Sequence, residues 1–190
     1  MPSRLRILPA LALALCGAAH AAPLKLHVPS PDWRDQVIYF VMTDRFADGD
    51  PRNNDQRAGE FRAGVESHYN GGDLKGLTAR LDYIRGLGAT AVWITPPVAN
   101  QWVDARGSYT GYHGYWAENF MKVDRRLGTL ADYQRLSHAL HSAGMYLVQD
   151  IVVNHTGDFF DYAGGWDAND PTRHFVPQRG SRPVPAPTQK

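Results

Sequence analysis

An apolar segment in the second half of the chain contains an aspartate and ends on an asparagine and a histidine. Residues 145–155 carry Asp150 among aliphatic neighbours and end on Asn154 and His155. Burying a carboxylate is costly without a polar partner, so Asp150 marks either a salt bridge inside a strand or a polar site. By the two-residue alternation of a strand, Asp150 and Asn154 share one face and His155 lies on the other. Ligand sites form where parallel strands end, so Asn154 and His155 could reach a common pocket.

A second group of candidate residues lies in a predicted long loop over residues 98–124. Residues 111–116 read Gly-Tyr-His-Gly-Tyr-Trp. Tyr115 and His113 suit a sugar subsite, because an aromatic face stacks on a sugar ring and an imidazole bonds its hydroxyls. Aromatic packing beneath a long loop explains these residues at least as well when they are taken alone.

A third group consists of carboxylate and amide side chains in a polar loop after the first predicted strand. Calcium takes about six to eight oxygen ligands in an irregular shell, which such a loop can supply. Asp, Asn and Gly are also the commonest turn residues, so a solvated turn is the alternative. The candidate ligands are Asp48, Asp50, Asn53, Asn54, Gly71 (through its carbonyl) and Asp73.

Three predicted strands position these groups. Residues 37–41, 89–95 and 145–155 are rich in β-branched and apolar side chains, as buried strands are. Helical patterns separate them, which gives the order β-α-β-α-β and predicts an α/β fold with parallel strands.

The two predicted helices are recognised by apolar side chains at helical spacing. Thr129 and Asp132 are spaced as a capping box at the start of the second helix. The apolar positions are Leu77, Leu81 and Ile84 in the first helix, and Leu130, Tyr133, Leu136 and Leu140 in the second. Both stripes are interpreted as core.

Composition and the N-terminus bound the class of protein. The chain has 190 residues, a net charge of +1 and no basic cluster, which favours neither nucleic acid nor an anionic membrane as partner. Arg4 and Arg6 precede an apolar run and Ala19-His20-Ala21, so residues 1–21 are predicted to be a secretory signal peptide. Its cleavage would remove Cys16, the one cysteine, and leave an exported chain without disulfides.

Together with Thr43-Asp44-Arg45-Phe46, these motifs resemble the alpha-amylase family, glycoside hydrolase family 13, over roughly residues 32–157. The resemblance implies part of a (β/α)8 TIM barrel, about its first three β/α units, over residues 22–153. Residues 154–190 would begin the loop domain that protrudes from the barrel. A complete barrel takes about 250 residues, so the chain is expected to be a fragment of limited stability.

The resemblance also implies roles for individual residues. In the family, the tyrosine that matches Tyr115 stacks on the sugar at the cleavage point, and the residue that matches His113 lies near it. The residue that matches His155 forms a hydrogen bond with the same sugar. The family's counterpart of Asp150 pairs with an arginine next to the catalytic nucleophile and supports the site, and its counterpart of Asn154 binds a calcium between barrel and loop domain. The acidic loop resembles the calcium loop of cyclodextrin glucanotransferases, with an aspartate at position 50 in place of an asparagine.

The function implied is that of an exported enzyme acting on starch or maltodextrins by a retaining mechanism. Its two catalytic carboxylates would lie beyond Lys190, so no catalytic residue is assigned and the 190 residues alone are expected to be inactive. Two alternatives stay open. One is transglycosylation, as in cyclodextrin glucanotransferases, and the other is a non-catalytic remnant that binds glucan or calcium.

Overall fold

The structure is a computed structural model that describes residues 30–104 and 108–157. The predicted signal peptide at 1–21, and residues 158–190 of the loop domain predicted over 154–190, lie outside the described residues. The chain divides into residues 1–33 and residues 34–190, and the α-helices and strands described here all belong to the second unit. Within the described part, no helix is both long enough and apolar enough to span a membrane.

The described strands and α-helices follow one another in the order β-α-α-β-β-β-α-β. They are β1 (Ile38–Val41), α1 (Leu74–Ala79), α2 (Leu81–Gly86), β2 (Ala91–Ile94), β3 (Val98–Asn100), β4 (Ala117–Val123), α3 (Leu130–Ser142) and β5 (Tyr146–Gln149), with 3-10 turns at Trp33–Asp35, Thr43–Arg45 and Pro51–Asn53.

Strands β1, β2 and β5 form one parallel sheet in that order. Ile38 is in register with Ala91, which is in register with Tyr146 on its other side. The predicted α/β fold and its parallel strands are confirmed. Because all three strands run the same way, their carboxyl ends meet at one edge of the sheet, where the predicted site residues follow them.

The helices cover one face of this sheet and form the main core with it. Leu77, Leu81 and Ile84 are buried as predicted, although the first helix breaks at Arg80 into α1 and α2. The capping box is confirmed at the start of α3, where the Asp132 carboxylate accepts the Thr129 N–H at 2.9 Å.

One position of the predicted apolar stripe on α3 is wrong. Leu136 and Leu140 are fully buried, but Leu130 is 61% exposed. As the first residue of α3, Leu130 lines an open surface groove with Phe120 and Met121 instead of reaching the core.

Two further predictions about strands are corrected. The segment interpreted as loop over 98–124 contains β3 and β4, an antiparallel pair whose register shifts twice, so no regular alternation marks it in the sequence. The strand predicted to reach His155 ends at Gln149. Since β2 ends at Ile94 and two prolines follow closely, residues after Asp150 have no ladder partner on that side.

The face of the sheet opposite the helices is open in the described part of the chain. Ile38 and Phe40 are 46% and 49% exposed, and Phe40 meets Trp93 edge to face at 5.3 Å between ring centroids. Apolar side chains therefore line this face as they line the helix-covered face.

Candidate functional site

Asp150 lies at the carboxyl end of β5 and is held by two hydrogen bonds. Its Oδ2 accepts the Tyr115 hydroxyl at 2.9 Å and the Trp93 indole N–H at 3.2 Å. These bonds make Asp150 part of a polar site within the described residues. Burial and this bond to Asp150 raise the pKa of Tyr115 to about 12, so its hydroxyl stays a donor at neutral pH.

His113 is half-buried and lies against the Tyr115 ring. The two rings stack at 5.7 Å with an interplanar angle of 20°, and His113 Nδ1 accepts the Tyr115 N–H at 3.0 Å. Burial, with a smaller contribution from the charge of Arg45, lowers the pKa of His113 to about 4. The imidazole is therefore neutral at physiological pH, with its proton on Nε2.

His155, in the segment after β5, lies against the backbone of Tyr115. Its Nε2 donates to the Tyr115 carbonyl at 3.1 Å, and its Nδ1 lies 3.3 Å from the Asn154 amide nitrogen. The structure thus brings together the three side chains predicted to bind substrate, His113, Tyr115 and His155, and places Asp150 beneath them.

More aromatic residues surround His113 and Tyr115 than the sequence predicted as site residues. Tyr109 bonds the Tyr112 hydroxyl at 2.9 Å, and its ring lies 5.9 Å from that of Trp116. The Arg45 guanidinium lies 3.8 Å from the Tyr112 ring centroid. We refer to Tyr109, Tyr112, His113, Tyr115 and Trp116 as the aromatic face. Arg45 belongs to the quoted motif at 43–46, but nothing local in the sequence indicates its contact with Tyr112.

The acidic loop brings most of its predicted ligands together at the start of α1. Asn54 Nδ2 donates to Asp48 at 2.6 Å, and Asn53 Nδ2 donates to Asp73 at 3.0 Å. Asp73 also caps α1 by accepting the Gly76 N–H at 2.7 Å. Two carboxylates and two amides are therefore fixed side by side.

The chemistry of this loop fits a hard cation. The Oδ1 atoms of Asn53 and Asn54 are buried, and neither has a hydrogen-bond partner among the described residues. Buried acceptors are normally satisfied, so two adjacent orphan oxygens beside two carboxylates suit an oxygen-binding ion such as calcium. Gly71 adjoins them at φ +97°, where an added Cβ would lie 2.6 Å from the Asn54 amide nitrogen.

Two predicted ligands, Asp50 and Asn154, make other contacts. The Asp50 carboxylate is bound by Arg52 at 2.7 Å and by Lys75 at 2.5 Å, which holds its pKa well below the usual range. Asn154 lies by the aromatic face through its contact with His155. Over residues 30–104 and 108–157, no three His, Cys, Asp or Glu side chains group as metal ligands, so the acidic loop depends on its amides.

Comparison with known proteins identifies relatives of the chain. The family described as "Alpha amylase, catalytic domain" matches residues 40–186. The cyclomaltodextrin glucanotransferase of Klebsiella oxytoca is 44% identical over 132 residues, which are 66% of this chain and 20% of the relative. The periplasmic alpha-amylase of Escherichia coli K12 is 40% identical over 134 residues, again 66% of this chain and 20% of the relative.

A solved structure of an alpha-amylase is also similar to this chain. The crystal structure of an Anoxybacillus alpha-amylase matches 70% of this chain and 29% of its own, with a TM-score of 0.59 and 40% identity. The chain therefore spans about a fifth of the two curated relatives and under a third of this structure.

Proposed function

The chain belongs to the alpha-amylase family, and we propose that it forms part of an enzyme that acts on α-linked glucans such as starch and maltodextrins. The observation that carries the proposal is the meeting of His113, Tyr115 and His155 over Asp150 at the carboxyl edge of the sheet. Alpha-amylases and a glucanotransferase among the relatives support the substrate class.

Three of these side chains have a defined task in the proposal. The Tyr115 ring stacks on a glucose ring, and Nε2–H of His113 donates to a sugar hydroxyl. Asp150 holds the Tyr115 hydroxyl and so fixes the orientation of the ring. A retaining mechanism further requires a carboxylate nucleophile and a carboxylic acid about 5–5.5 Å apart. We assign neither to these residues, and Asp150 keeps a supporting role.

Transglycosylation is the second candidate, and the 44% identity to a cyclomaltodextrin glucanotransferase favours it. Hydrolysis and transfer share the covalent glycosyl intermediate and differ in whether water or a sugar hydroxyl attacks it. A non-catalytic glucan-binding role is the third candidate, because part of a site does not guarantee activity.

Glucan binding by the 190-residue chain tests the proposal. Isothermal titration should give saturable binding of maltoheptaose and none of cellohexaose, whose β-linked chain presents its rings differently. Tyr115→Ala should weaken maltoheptaose binding by about tenfold or more, since it removes the stacking face. Tyr83→Ala, at an exposed tyrosine on α2, is the matched control and should leave the affinity unchanged. Equal binding of both glucans would contradict the proposal.

We also propose that the acidic loop binds calcium, held by Asp48, Asn53, Asn54, Asp73 and the Gly71 carbonyl. The ion would join the segment after β1 to the start of α1 by neutralising their carboxylates. The orphan amide oxygens and the resemblance to a glucanotransferase calcium loop support this proposal.

Calcium should therefore raise the melting temperature. At a concentration of about 100 times Kd, binding to the folded state alone adds about 3 kcal/mol to the free energy of unfolding. Thermal unfolding in calcium and in chelator measures the shift, and Asn53→Ala should abolish most of it. Asn119→Ala, outside the loop, should keep it. An equal shift in both variants would place the ion elsewhere.

Export completes the proposal. The predicted signal peptide at residues 1–21 supports it, as does the periplasmic location named for the relative from Escherichia coli. The absence of cysteine from residues 22–190 agrees with a fold that relies on core packing, and in our proposal on calcium, outside the cytoplasm.

A further inference from the structure

Arg45 connects the turn after β1 to the aromatic face. Its Nη2 donates to the Glu66 carbonyl at 2.7 Å, and its Nε lies 3.3 Å from an Asp44 carboxylate oxygen. The flat side of the guanidinium lies on the Tyr112 ring at 3.8 Å. Three groups thus hold one cation in a defined orientation, which is the geometry in which a planar guanidinium is more effective than an ammonium.

Asp44 anchors this arrangement from the buried side. It is 2% exposed and accepts the backbone N–H groups of Asn70 and Gly71 at 3.0 and 3.2 Å. Arg45 is therefore fixed to a rigid part of the fold, and the Tyr112 ring is fixed by Arg45.

Tyr112 passes this restraint to the side chains that are proposed to bind sugar. Its ring meets His113 edge to face at 5.3 Å, and His113 stacks on Tyr115 at 5.7 Å. Displacement of the Tyr112 ring would free one side of His113, whose other contacts are Tyr109, Tyr115 and Trp116.

We propose that Arg45 is a positioning residue for the aromatic face, which orients His113 and Tyr115 for sugar without touching the sugar itself. The role of these side chains in binding sugar rests on the proposed function, but the positioning of His113 and Tyr115 by Arg45 does not. The charge of Arg45 also repels a proton from His113, in addition to the effect of burial, and so helps to keep Nε2–H as a neutral donor.

The test is the titration of His113 by NMR in the full chain, without sugar. The groups that surround this imidazole are Arg45 from the turn after β1 and Tyr109, Tyr112 and Tyr115 from its own segment; Asp150, after β5, bonds the Tyr115 hydroxyl. Wild type should titrate near pH 4. Arg45→Met should move the midpoint upward, toward 6.5, and Arg45→Lys should move it less because the charge remains.

Two controls separate positioning from loss of structure. His68 is buried and its pKa is also lowered by burial, so it should keep its low value in a folded Arg45→Met chain. Arg80→Met removes a surface arginine whose side chain has no ion pair among the described residues, and should leave His113 unchanged.

The outcomes are distinct. A wild-type His113 that titrates near 6.5, or an Arg45→Met variant in which His113 and the Tyr115 amide resonance do not move, overturns the inference. A parallel rise of His68 overturns it as well, because Arg45 would then be needed for folding in general. If His113 and the Tyr115 amide resonance move while His68 does not, the inference holds, and maltoheptaose affinity should fall about tenfold. If His113 moves but wild type binds no maltoheptaose, the positioning role holds and the proposed function fails.

Discussion

Replacing Glu60 with alanine should lower the free energy of unfolding by about 3–5 kcal/mol, because it leaves a buried guanidinium without its counter-charge. Glu60 and Arg126 are 0% and 2% exposed, and their side chains meet at 2.5 Å. Arg126 also lies 4.0 Å from the centre of the Tyr69 ring, and its Nε has no hydrogen-bond partner among the described residues. Little solvent is available to take over from the lost carboxylate.

The same carboxylate organises the acidic loop. Glu60 accepts the backbone N–H groups of Gln56 and Ala58 at 2.6 and 2.7 Å, directly after the predicted calcium ligands. The Glu60→Ala chain should therefore also lose part of the calcium-dependent rise in melting temperature.

Chemical denaturation of three variants measures the effect. Glu66→Ala, at an exposed glutamate in the same loop, should stay within about 0.5 kcal/mol of wild type. The double variant Glu60→Leu/Arg126→Met removes both charges, keeps most of the volume, and should recover much of the loss. A Glu60→Ala chain as stable as Glu66→Ala would contradict the assignment of a buried ion pair.

Replacing Asp124 with alanine should cost about 3 kcal/mol or more, since it leaves three buried donors without an acceptor. The carboxylate of Asp124 accepts the Asn100 and Arg126 N–H groups at 2.9 and 2.8 Å and the Trp102 indole N–H at 3.3 Å. These bonds join the end of β3, the end of β4 and the turn into α3, so the loop that carries the aromatic face depends on them.

The loss of unfolding free energy in Asp124→Ala should depend on pH. Burial raises the pKa of Asp124 to about 6, above the ordinary value of 3.8 that applies in the unfolded chain. The folded state therefore binds this proton more tightly, and the stability that Asp124 contributes is full below pH 4 and declines as pH rises to 6.

Denaturation at two pH values checks this sign. The difference in unfolding free energy between wild type and Asp124→Ala should be larger at pH 4.5 than at pH 7. Asp82→Ala, at an exposed aspartate on α2, should show no comparable change. A difference that grows toward neutral pH would show that ionised Asp124 is favoured by its surroundings.

The elements that follow from local patterns were predictable. Apolar spacing identified Leu77, Leu136 and Leu140 as core, and the capping box fixed the start of α3 because its bonds join residues three apart. The parallel order of the sheet followed from the alternation of strands and helices. These features depend on neighbours in the chain.

Features that depend on distant residues were not predictable from one sequence. The register of β3 against β4 shifts twice and leaves no alternation. Glu60 and Arg126 are 66 residues apart, and nothing near either one indicates that they pair. The ion pair of Asp50 with Lys75, which lies 25 residues away, is not apparent from the sequence either. The contact of Arg45 with Tyr112 is likewise a product of the fold.

The most direct test of the account is to map by NMR which residues of the chain respond to maltoheptaose. We expect saturable shifts centred on His113, Tyr115 and His155, with the Trp93 indole resonance moving through Asp150. Residues of the open groove around Phe120 and Met121 should not move. Shifts that centre on that groove, or the absence of any saturable shift when maltoheptaose is added in excess, would contradict the assignment of the aromatic face as a glucan site.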